Sequence, residues 1–248
     1  MAVPSLDHIV YGPVRSRRLG ASLGVNLLPP GLKVCNMNCA YCQYGWTNFP
    51  AKGSFPRPAD VIDALDCALQ RDPDVESITV AGNGEPTLHP GFAPIAEGLF
   101  KVRERRAPGA RLALLSNGST LNRLDVVYSL GHFDDRYMKL DAGDATTFRL
   151  MNGPPMPLGR LIADLRAVGR LTLQSMFVRD NDRVIDNTTP KALDAWIDAV
   201  DRVRPQGVHV YTLDRVPARG SLVKVPEPVL HEIADRVAAL GIRAQVFA

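Results

Sequence analysis

Three of the four cysteines of this 248-residue chain lie within one short segment. Cys35, Cys39 and Cys42 are spaced C-x3-C-x2-C, and the aromatic residue Tyr41 precedes the last of them. Three thiols cannot all pair as disulfides, and so short a loop would strain any single bridge. Thiolates at this spacing can converge on a metal, and iron–sulfur clusters are held by cysteine thiolates, ordinarily four of them. A loop with only three would leave one iron open for chemistry.

A structural zinc ion is the alternative interpretation of this loop. Structural zinc sites are closed, and they usually combine C-x2-4-C pairs that are separated by a dozen or more residues. The remaining cysteine, Cys67, lies in a helical pattern, and no histidine falls within the loop. We therefore favour an iron–sulfur cluster, and we expect Cys67 to be a buried structural residue of its helix.

A second segment, Gly82, Asn83, Gly84, Glu85 and Pro86, follows a strand-like run. Glycines permit a tight backbone with exposed carbonyl groups, which can accept hydrogen bonds from an ammonium group. Glu85 adds a charged acceptor. Gly-x-Gly alone is a weak signal, and an ordinary turn between a strand and a helix would account for it.

Together, the two segments resemble the signature of radical S-adenosylmethionine (SAM) enzymes. The resemblance implies a 4Fe-4S cluster on Cys35, Cys39 and Cys42, whose fourth iron binds the amine and carboxylate of SAM. Tyr41 and residues 82–86 would contact the cofactor. The implied chemistry is reductive cleavage of SAM to methionine and a 5′-deoxyadenosyl radical, which abstracts hydrogen from a substrate.

Further cofactor contacts follow from the ends of later strands. Ser116 and Asn117 resemble the family's Thr-Asn-Gly loop, and serine keeps the hydroxyl; the resemblance places them near the ribose and carboxylate of SAM. Asp141 could accept hydrogen bonds from ribose hydroxyls. Gln174 and Met176 alternate on one side of a strand and could form a cofactor wall, although a core methionine is equally compatible with the pattern.

The predicted substrate residues lie nearby. Lys139 could bind a carboxylate or act on the substrate, and a salt bridge with Asp141 is the alternative. Tyr211 ends the last long strand, and Asp214 and Arg215 follow it. We interpret Lys139, Tyr211, Asp214 and Arg215 as candidate catalytic or substrate-binding residues.

A basic run, Arg15, Arg17 and Arg18, precedes the strand before the cysteine loop. Guanidinium groups suit phosphate, so the run favours a small-molecule or nucleotide-like substrate. The net charge of +3 is too small to indicate a nucleic-acid partner by itself. An RNA-modifying enzyme and an activating enzyme for a partner protein are the alternatives. A non-catalytic iron–sulfur protein is least favoured, because the glycine segment would then have no purpose.

The similarity extends over roughly residues 11–247 and is to a compact group of radical SAM proteins, similar to the radical SAM domain of the wybutosine-synthesis tRNA enzymes. It rests on segments such as Gly-Pro-Val-Arg-Ser-Arg-Arg-Leu-Gly, Leu-Asp-Ala-Gly-Asp and Tyr-Thr-Leu-Asp-Arg. Those enzymes carry a second three-cysteine cluster, whereas only Cys67 is spare here, and some are fused to flavodoxin. A separate ferredoxin or flavodoxin is therefore the expected electron donor.

Strands and helices alternate along the chain, which predicts parallel βαβ units. The expected fold is α/β, a partial (β/α)6 radical SAM barrel formed as a single domain by residues 1–248, with the cluster loop at 32–46. Polar residues gather where strands end, the place where parallel α/β folds bind ligands. In detail, the pattern predicts a turn at 11–13 and one strand over 170–178.

The sequence has neither a twenty-residue apolar run nor the charged-then-apolar pattern of a signal peptide. Neither a membrane span nor export is therefore expected. Oxygen-sensitive thiolates suit a reducing compartment, so we expect a cytoplasmic protein.

Overall fold

The structure, a computed structural model, describes residues 8–47, 53–182 and 184–248. Its strands, in chain order, are β1 (Val10–Ser16), β2 (Gly20–Val25), β3 (Ser77–Val80), β4 (Arg111–Ser116), β5 (Asp135–Lys139), β6 (Thr172–Met176), β7 (Val178–Asp180), β8 (Gly207–Tyr211), β9 (Leu222–Lys224) and β10 (Arg243–Phe247). Its α-helices are α1 (Pro58–Arg71), α2 (Phe92–Arg106), α3 (Leu124–Ser129), α4 (Ala145–Asn152), α5 (Leu158–Val168), α6 (Pro190–Val203) and α7 (Glu227–Ala238).

The main sheet has eight strands in the order β1-β2-β3-β4-β5-β6-β8-β10. All neighbours from β2 to β10 are parallel, and β1 adds antiparallel to β2 at one edge. Helices follow β2, β3, β4, β5, β6 and β8, and β10 ends the series. The predicted partial barrel of six strand–helix units is therefore confirmed. Strands β7 and β9 pair separately as a short antiparallel ribbon.

The central strands are buried on both faces, as parallel strands covered by helices must be. Every residue of β3 is buried. Helix α1 begins with Pro58 in its first turn, a position that needs no intrahelical N–H bond. It buries Val61, Leu65 and Leu69 and packs against α2. Cys67 lies on the other side of α1 and is exposed, so the expectation that it is buried was wrong.

Two sequence-based element boundaries also differ from the structure. Residues 11–13, expected to form a turn, belong to β1, where the pairing with β2 shifts register between Tyr11 and Val14. The single strand expected over 170–178 is divided between β6 and β7. Phe177 N–H still bonds to β8, at Tyr211 O and 2.8 Å. The next residue has a new partner, because Val178 N–H bonds to Asn187 Oδ1 at 2.9 Å, and the chain leaves the ladder with β8 at this point.

The turn between β1 and β2 reaches the far side of the partial barrel. Arg17 Nη2 lies 3.4 Å from Asp214 Oδ2, in the loop after β8. The guanidinium of Arg18 lies 4.9 Å from the centre of the Tyr211 ring. The hairpin thus brings basic residues from one edge of the sheet to the end of β8.

Among the described helices, none combines the length and the apolar composition that crossing a membrane requires.

Candidate functional site

A cavity of about 520 Å³ lies where the parallel strands end. The sequence-predicted metal, cofactor and substrate residues line it, with the exceptions of Asn83, Pro86 and Asp141. The structure therefore brings together residues that lie as far apart in the chain as Cys35 and Arg215. This is the arrangement expected of parallel α/β folds, whose ligands bind at the carboxyl ends of the strands.

Hydrogen-bond donors point at two of the three cysteine sulfurs. Cys35 Sγ accepts from Met37 N at 3.4 Å and from Asn117 Nδ2 at 3.7 Å. Cys39 Sγ accepts from Asn152 Nδ2 at 3.4 Å. Burial raises the pKa of the Cys35 thiol to about 12 and also raises the pKa of Cys39. A cation that replaces the thiol protons would therefore be needed to make these sulfurs thiolates.

The donor set suits an iron–sulfur cluster. Three thiols line one cavity, and the hydrogen bonds they accept are of the kind that tune cluster sulfurs. Within the described ranges, no three His, Cys, Asp or Glu side chains converge closely enough to hold a single metal ion.

The end of helix α4 supports the cysteine loop. The loop's Asn38 N–H and Ala40 N–H bond to the carbonyl oxygens of Asn152 and Met151, each at 2.8 Å. On the other side of the loop, Arg219 N–H bonds to Ala40 O at 2.8 Å. These backbone bonds fix the height of the loop above the barrel, and hence the position of its thiols.

The glycine segment packs directly against the backbone that leads into Cys35. Val34 N–H donates to Asn83 O at 3.1 Å, and Glu85 N–H donates to Val34 O at 2.9 Å. A Cβ atom on Gly84 would lie 1.7 Å from Val34 O, so only glycine permits this approach. Asn83 turns its side chain away from the cavity and donates to Pro29 O at 2.8 Å.

The carboxylate of Glu85 is buried and connects the glycine segment to β4. Its Oε1 accepts from Thr87 N at 3.1 Å and from Ser116 Oγ at 2.8 Å, and its Oε2 accepts from Asn117 N at 2.6 Å. Burial raises the pKa of Glu85, while these hydrogen bonds act in the opposite direction. Among the residues that the structure describes, Oε2 has this one donor, which leaves it a lone pair for a ligand.

Asp141 lies beneath the cavity wall and does not face the cavity. Tyr41 OH donates to its carboxylate, as do Asn152 Nδ2 at 2.7 Å and Met176 N at 2.8 Å. The side chain is fully buried. These donors occupy the Asp141 carboxylate and connect it to Tyr41, and the contact with a ribose stays a prediction.

Lys139 lies between Asp141 and Tyr211. Its Nζ is 3.8 Å from Asp141 Oδ2 and donates to Tyr211 OH at 3.2 Å. Burial lowers the pKa of Lys139, but Asp141 and Tyr211 outweigh it and raise the pKa above its usual value. Lys139 is thus a charged group in the cavity wall, and the salt bridge that the sequence left as an alternative is present.

Two asparagines of the site were missed by the sequence-based predictions. Asn152, fully buried, contacts Cys39, Tyr41 and Asp141 through one amide nitrogen. Asn36, inside the cysteine motif, accepts from Asn117 Nδ2 at 3.0 Å. Asn36 lies between Cys35 and Cys39 in the sequence, and this position could have suggested a role. No local pattern marks Asn152.

Residues 31–218 match the family model described as "Radical SAM superfamily". The match covers most of the chain, and the chain therefore belongs to the radical SAM superfamily of enzymes.

The chain is also similar to individual proteins. A UPF0026 protein of Helicobacter pylori is 34% identical over 59% of this chain and 46% of its own length. A UPF0026 protein of Synechocystis is 29% identical over 92% of this chain and 80% of its own length. The chain spans less than half of the length of the Helicobacter relative.

Among solved structures, TYW1 with a lysine–pyruvate adduct bound superposes with a TM-score of 0.64 at 14% identity. The superposition covers 88% of this chain and 73% of that one. At this identity, the likeness shows a shared fold, in agreement with the expected similarity to wybutosine-synthesis enzymes.

Proposed function

We propose that this protein binds a 4Fe-4S cluster through Cys35, Cys39 and Cys42, cleaves SAM reductively, and abstracts hydrogen from a small-molecule or nucleotide-like substrate. The observation that carries the proposal is the single cavity that these thiols share with Glu85 and Asn117. A cluster ligand set and an acceptor for an ammonium group thus face the same space.

When bound, the cluster supplies one electron, and SAM supplies the radical that the electron releases. The protein's own residues would bind SAM and orient it. Glu85 Oε2, with its remaining lone pair, would accept a hydrogen bond from the ammonium group of SAM. Ser116 Oγ is already used in holding Glu85, so its role is to orient that carboxylate.

The far wall of the cavity offers further contacts to SAM. Gln174 Nε2 is buried without a hydrogen-bond partner among the described residues, and Gln174 lines the cavity. An unpaired buried donor costs free energy. A turn of this amide toward the cavity would let it donate to a ribose or adenine acceptor of SAM and would remove that cost. Met176 adds an apolar, polarisable surface beside it.

The volume of the cavity suits a small cofactor with a small substrate. Ligand pockets commonly enclose roughly 300–1,000 Å³, and this cavity has about 520 Å³. This volume supports radical chemistry on a compact substrate. We propose a ferredoxin or flavodoxin of the cytoplasm as the electron donor.

The test is an anaerobic reconstitution of the cluster, followed by reduction with dithionite, addition of SAM and chromatography for 5′-deoxyadenosine. We expect product from the wild type and from Cys67→Ala, whose changed side chain is exposed on α1. We expect none from Cys39→Ala. Equal product from wild type and Cys39→Ala would contradict the proposal.

A further inference from the structure

Two arginines of the cavity wall have no acceptor in the described protein. Arg18 and Arg215 both line the cavity. The Nη1 atom of each is sealed from solvent and has no hydrogen-bond partner within the described ranges. A guanidinium group carries five N–H donors and cannot lose its charge. Nη1 is the buried end of each group, but both side chains are partly exposed where they line the cavity, and none of their other N–H donors has an acceptor among the described residues. These remaining donors can therefore bind a ligand in the cavity.

Among the described residues, Arg18 has no carboxylate partner, and its guanidinium lies against an aromatic ring. Its guanidinium lies 4.9 Å from the centre of the Tyr211 ring, a cation–π contact that fixes the plane of the group without using its N–H donors. Its neighbour Arg17 differs, because it forms an ion pair with Asp214. Within one turn, therefore, one arginine is neutralised by the protein and the next is left free toward the cavity.

The charges of the cavity wall do not balance. Six cationic side chains line it against two carboxylates: Arg15, Arg17, Arg18, Lys33, Lys139 and Arg215 against Glu85 and Asp214. Asp214 is already paired with Arg17. The proposed cofactors leave the excess in place, because three thiolates offset the charge of the cluster irons and SAM is itself cationic. Lys139 is also paired, with Asp141 below the wall. The cations that remain give the cavity a positive potential, so its remaining occupant should be an anion.

The two arginines and the cofactor residues come from different parts of the fold. Arg18 follows β1 and reaches β8, and Arg215 follows β8. The glycine segment follows β3, and Asn117 follows β4. In the sheet, β5 and β6 separate β4 from β8. The cavity thus has a cofactor end beside β3 and β4, a wall of further proposed SAM contacts at Gln174 and Met176 on β6, and a cationic end beside β8.

We propose that Arg18 and Arg215 bind an oxyanion of the substrate, a phosphate or a carboxylate, at the cationic end of the cavity. Guanidinium groups recognise both anions through paired N–H donors. Anchoring the anion there would direct the rest of a small substrate toward the cofactor end. The assignment of this anion to the substrate rests on the proposed function. The presence of an anion site does not rest on it.

The test uses the full chain with its cluster reconstituted and no reductant present. Calorimetric titrations at constant ionic strength use pyrophosphate, inorganic phosphate and succinate as probes. We expect at least one probe to bind, and Arg18→Gln and Arg215→Gln each to weaken that binding at least tenfold. Arg166→Gln, an exposed position on α5 that does not line the cavity, loses the same charge and should bind as wild type does.

The choice of probes separates the two sources of the anion. Tighter binding of the phosphates assigns a phosphorylated substrate, and tighter binding of succinate assigns a carboxylate. Unfolding temperatures of the variants show whether each is folded, and either arginine variant alone suffices for the comparison. The proposal is overturned if no probe binds, if both cavity variants bind as wild type does, or if Arg166→Gln weakens binding equally.

Binding to a single-stranded RNA oligonucleotide, with none to the small anions, would also overturn it in favour of an RNA substrate. Affinity would then fall with salt at a log–log slope of about −0.7 for each phosphate contact. Failure here is distinguishable from failure of the proposed function. Anion binding without 5′-deoxyadenosine formation by the wild type contradicts only the radical chemistry. Product formation without anion binding contradicts only the anion site.

Discussion

The side-chain amide of Asn152 donates a hydrogen bond to the sulfur of Cys39 at 3.4 Å, across 113 positions of the chain. The same nitrogen donates to Tyr41 OH at 3.1 Å and to Asp141 Oδ2 at 2.7 Å. One buried amide thus connects a proposed cluster ligand with the aromatic residue beside it and with the carboxylate below. The end of α4 therefore acts on the cysteine loop through both backbone and side-chain bonds.

Replacing Asn152 should change the electronic properties of the cluster more than its assembly. Hydrogen bonds to cluster sulfurs stabilise the more negative, reduced state. We expect Asn152→Leu to retain its iron but to have a more negative midpoint potential, and to lose roughly 1–2 kcal/mol of folding stability as Asp141 loses a donor. Redox titration followed by EPR measures the potential. The control is Asn122→Leu at an exposed position; an unchanged potential in Asn152→Leu would contradict this role.

A methyl group on Gly84 should force the glycine segment away from the cysteine loop. The added Cβ would lie 1.7 Å from Val34 O, which is backbone and can move only with the loop. We expect Gly84→Ala to lose about 2 kcal/mol or more of unfolding free energy and to bind SAM more weakly. The matched control is Gly109→Ala, where no atom lies within 4 Å of the added carbon. Denaturant unfolding and SAM titration of both variants are the measurements, and equal stability would refute the close approach.

The four cysteine-to-alanine variants should differ sharply in iron content. Cys35→Ala, Cys39→Ala and Cys42→Ala each remove a proposed ligand, so each should lose most of the iron and sulfide after reconstitution. Cys67→Ala should keep wild-type content, because Cys67 is exposed on α1 and does not line the cavity. Iron and sulfide analysis gives the answer; loss of the cluster in Cys67→Ala would show that this cysteine is a ligand.

His209 should make the folded state sensitive to acid. Burial, with a contribution from Arg18, lowers its pKa to about 4, whereas an unfolded chain restores about 6.5. Between pH 4 and pH 6.5, the unfolded state binds more protons than the folded state does. The free energy of unfolding is therefore highest above about pH 6.5, and it falls by roughly 3 kcal/mol as the pH drops to about 4.

The measurement is denaturant unfolding of the chain without cluster at pH 7 and pH 4.5. His209→Gln should lose much of this pH dependence, since glutamine does not titrate. His8→Gln, at an exposed position, should keep it. A pH dependence in His209→Gln equal to that of wild type would show that other groups cause the acid sensitivity.

The site residues that the sequence predicted best are those that short-range sequence patterns mark. Cysteine spacing and the Gly82–Pro86 segment depend on local geometry, and alternation along β6 predicted that Gln174 and Met176 face one cavity, as they do. Cys67 could also have been placed correctly. It follows Leu65 by two residues, about 200° around the helix, which is the side away from the buried stripe.

What the sequence did not show depends on contacts between distant segments. Asp141 lies two residues after the end of β5, a position typical of a ligand residue. Asn152 and Met176 nevertheless donate to its carboxylate, and Asp141 does not line the cavity. Asn152 itself carries no local signal, because its role exists only once α4 meets the cysteine loop. The unpaired state of Arg18 likewise depends on the hairpin reaching Tyr211.

The central claim is that SAM binds the cluster in this cavity. The most direct measurement is the EPR spectrum of the reduced, reconstituted protein before and after addition of SAM, with iron content determined on the same sample. The account predicts that SAM changes the spectrum of the wild type, and that Gly84→Ala requires more SAM for the same change. A fully loaded and reduced cluster whose spectrum is unchanged at saturating SAM would contradict it.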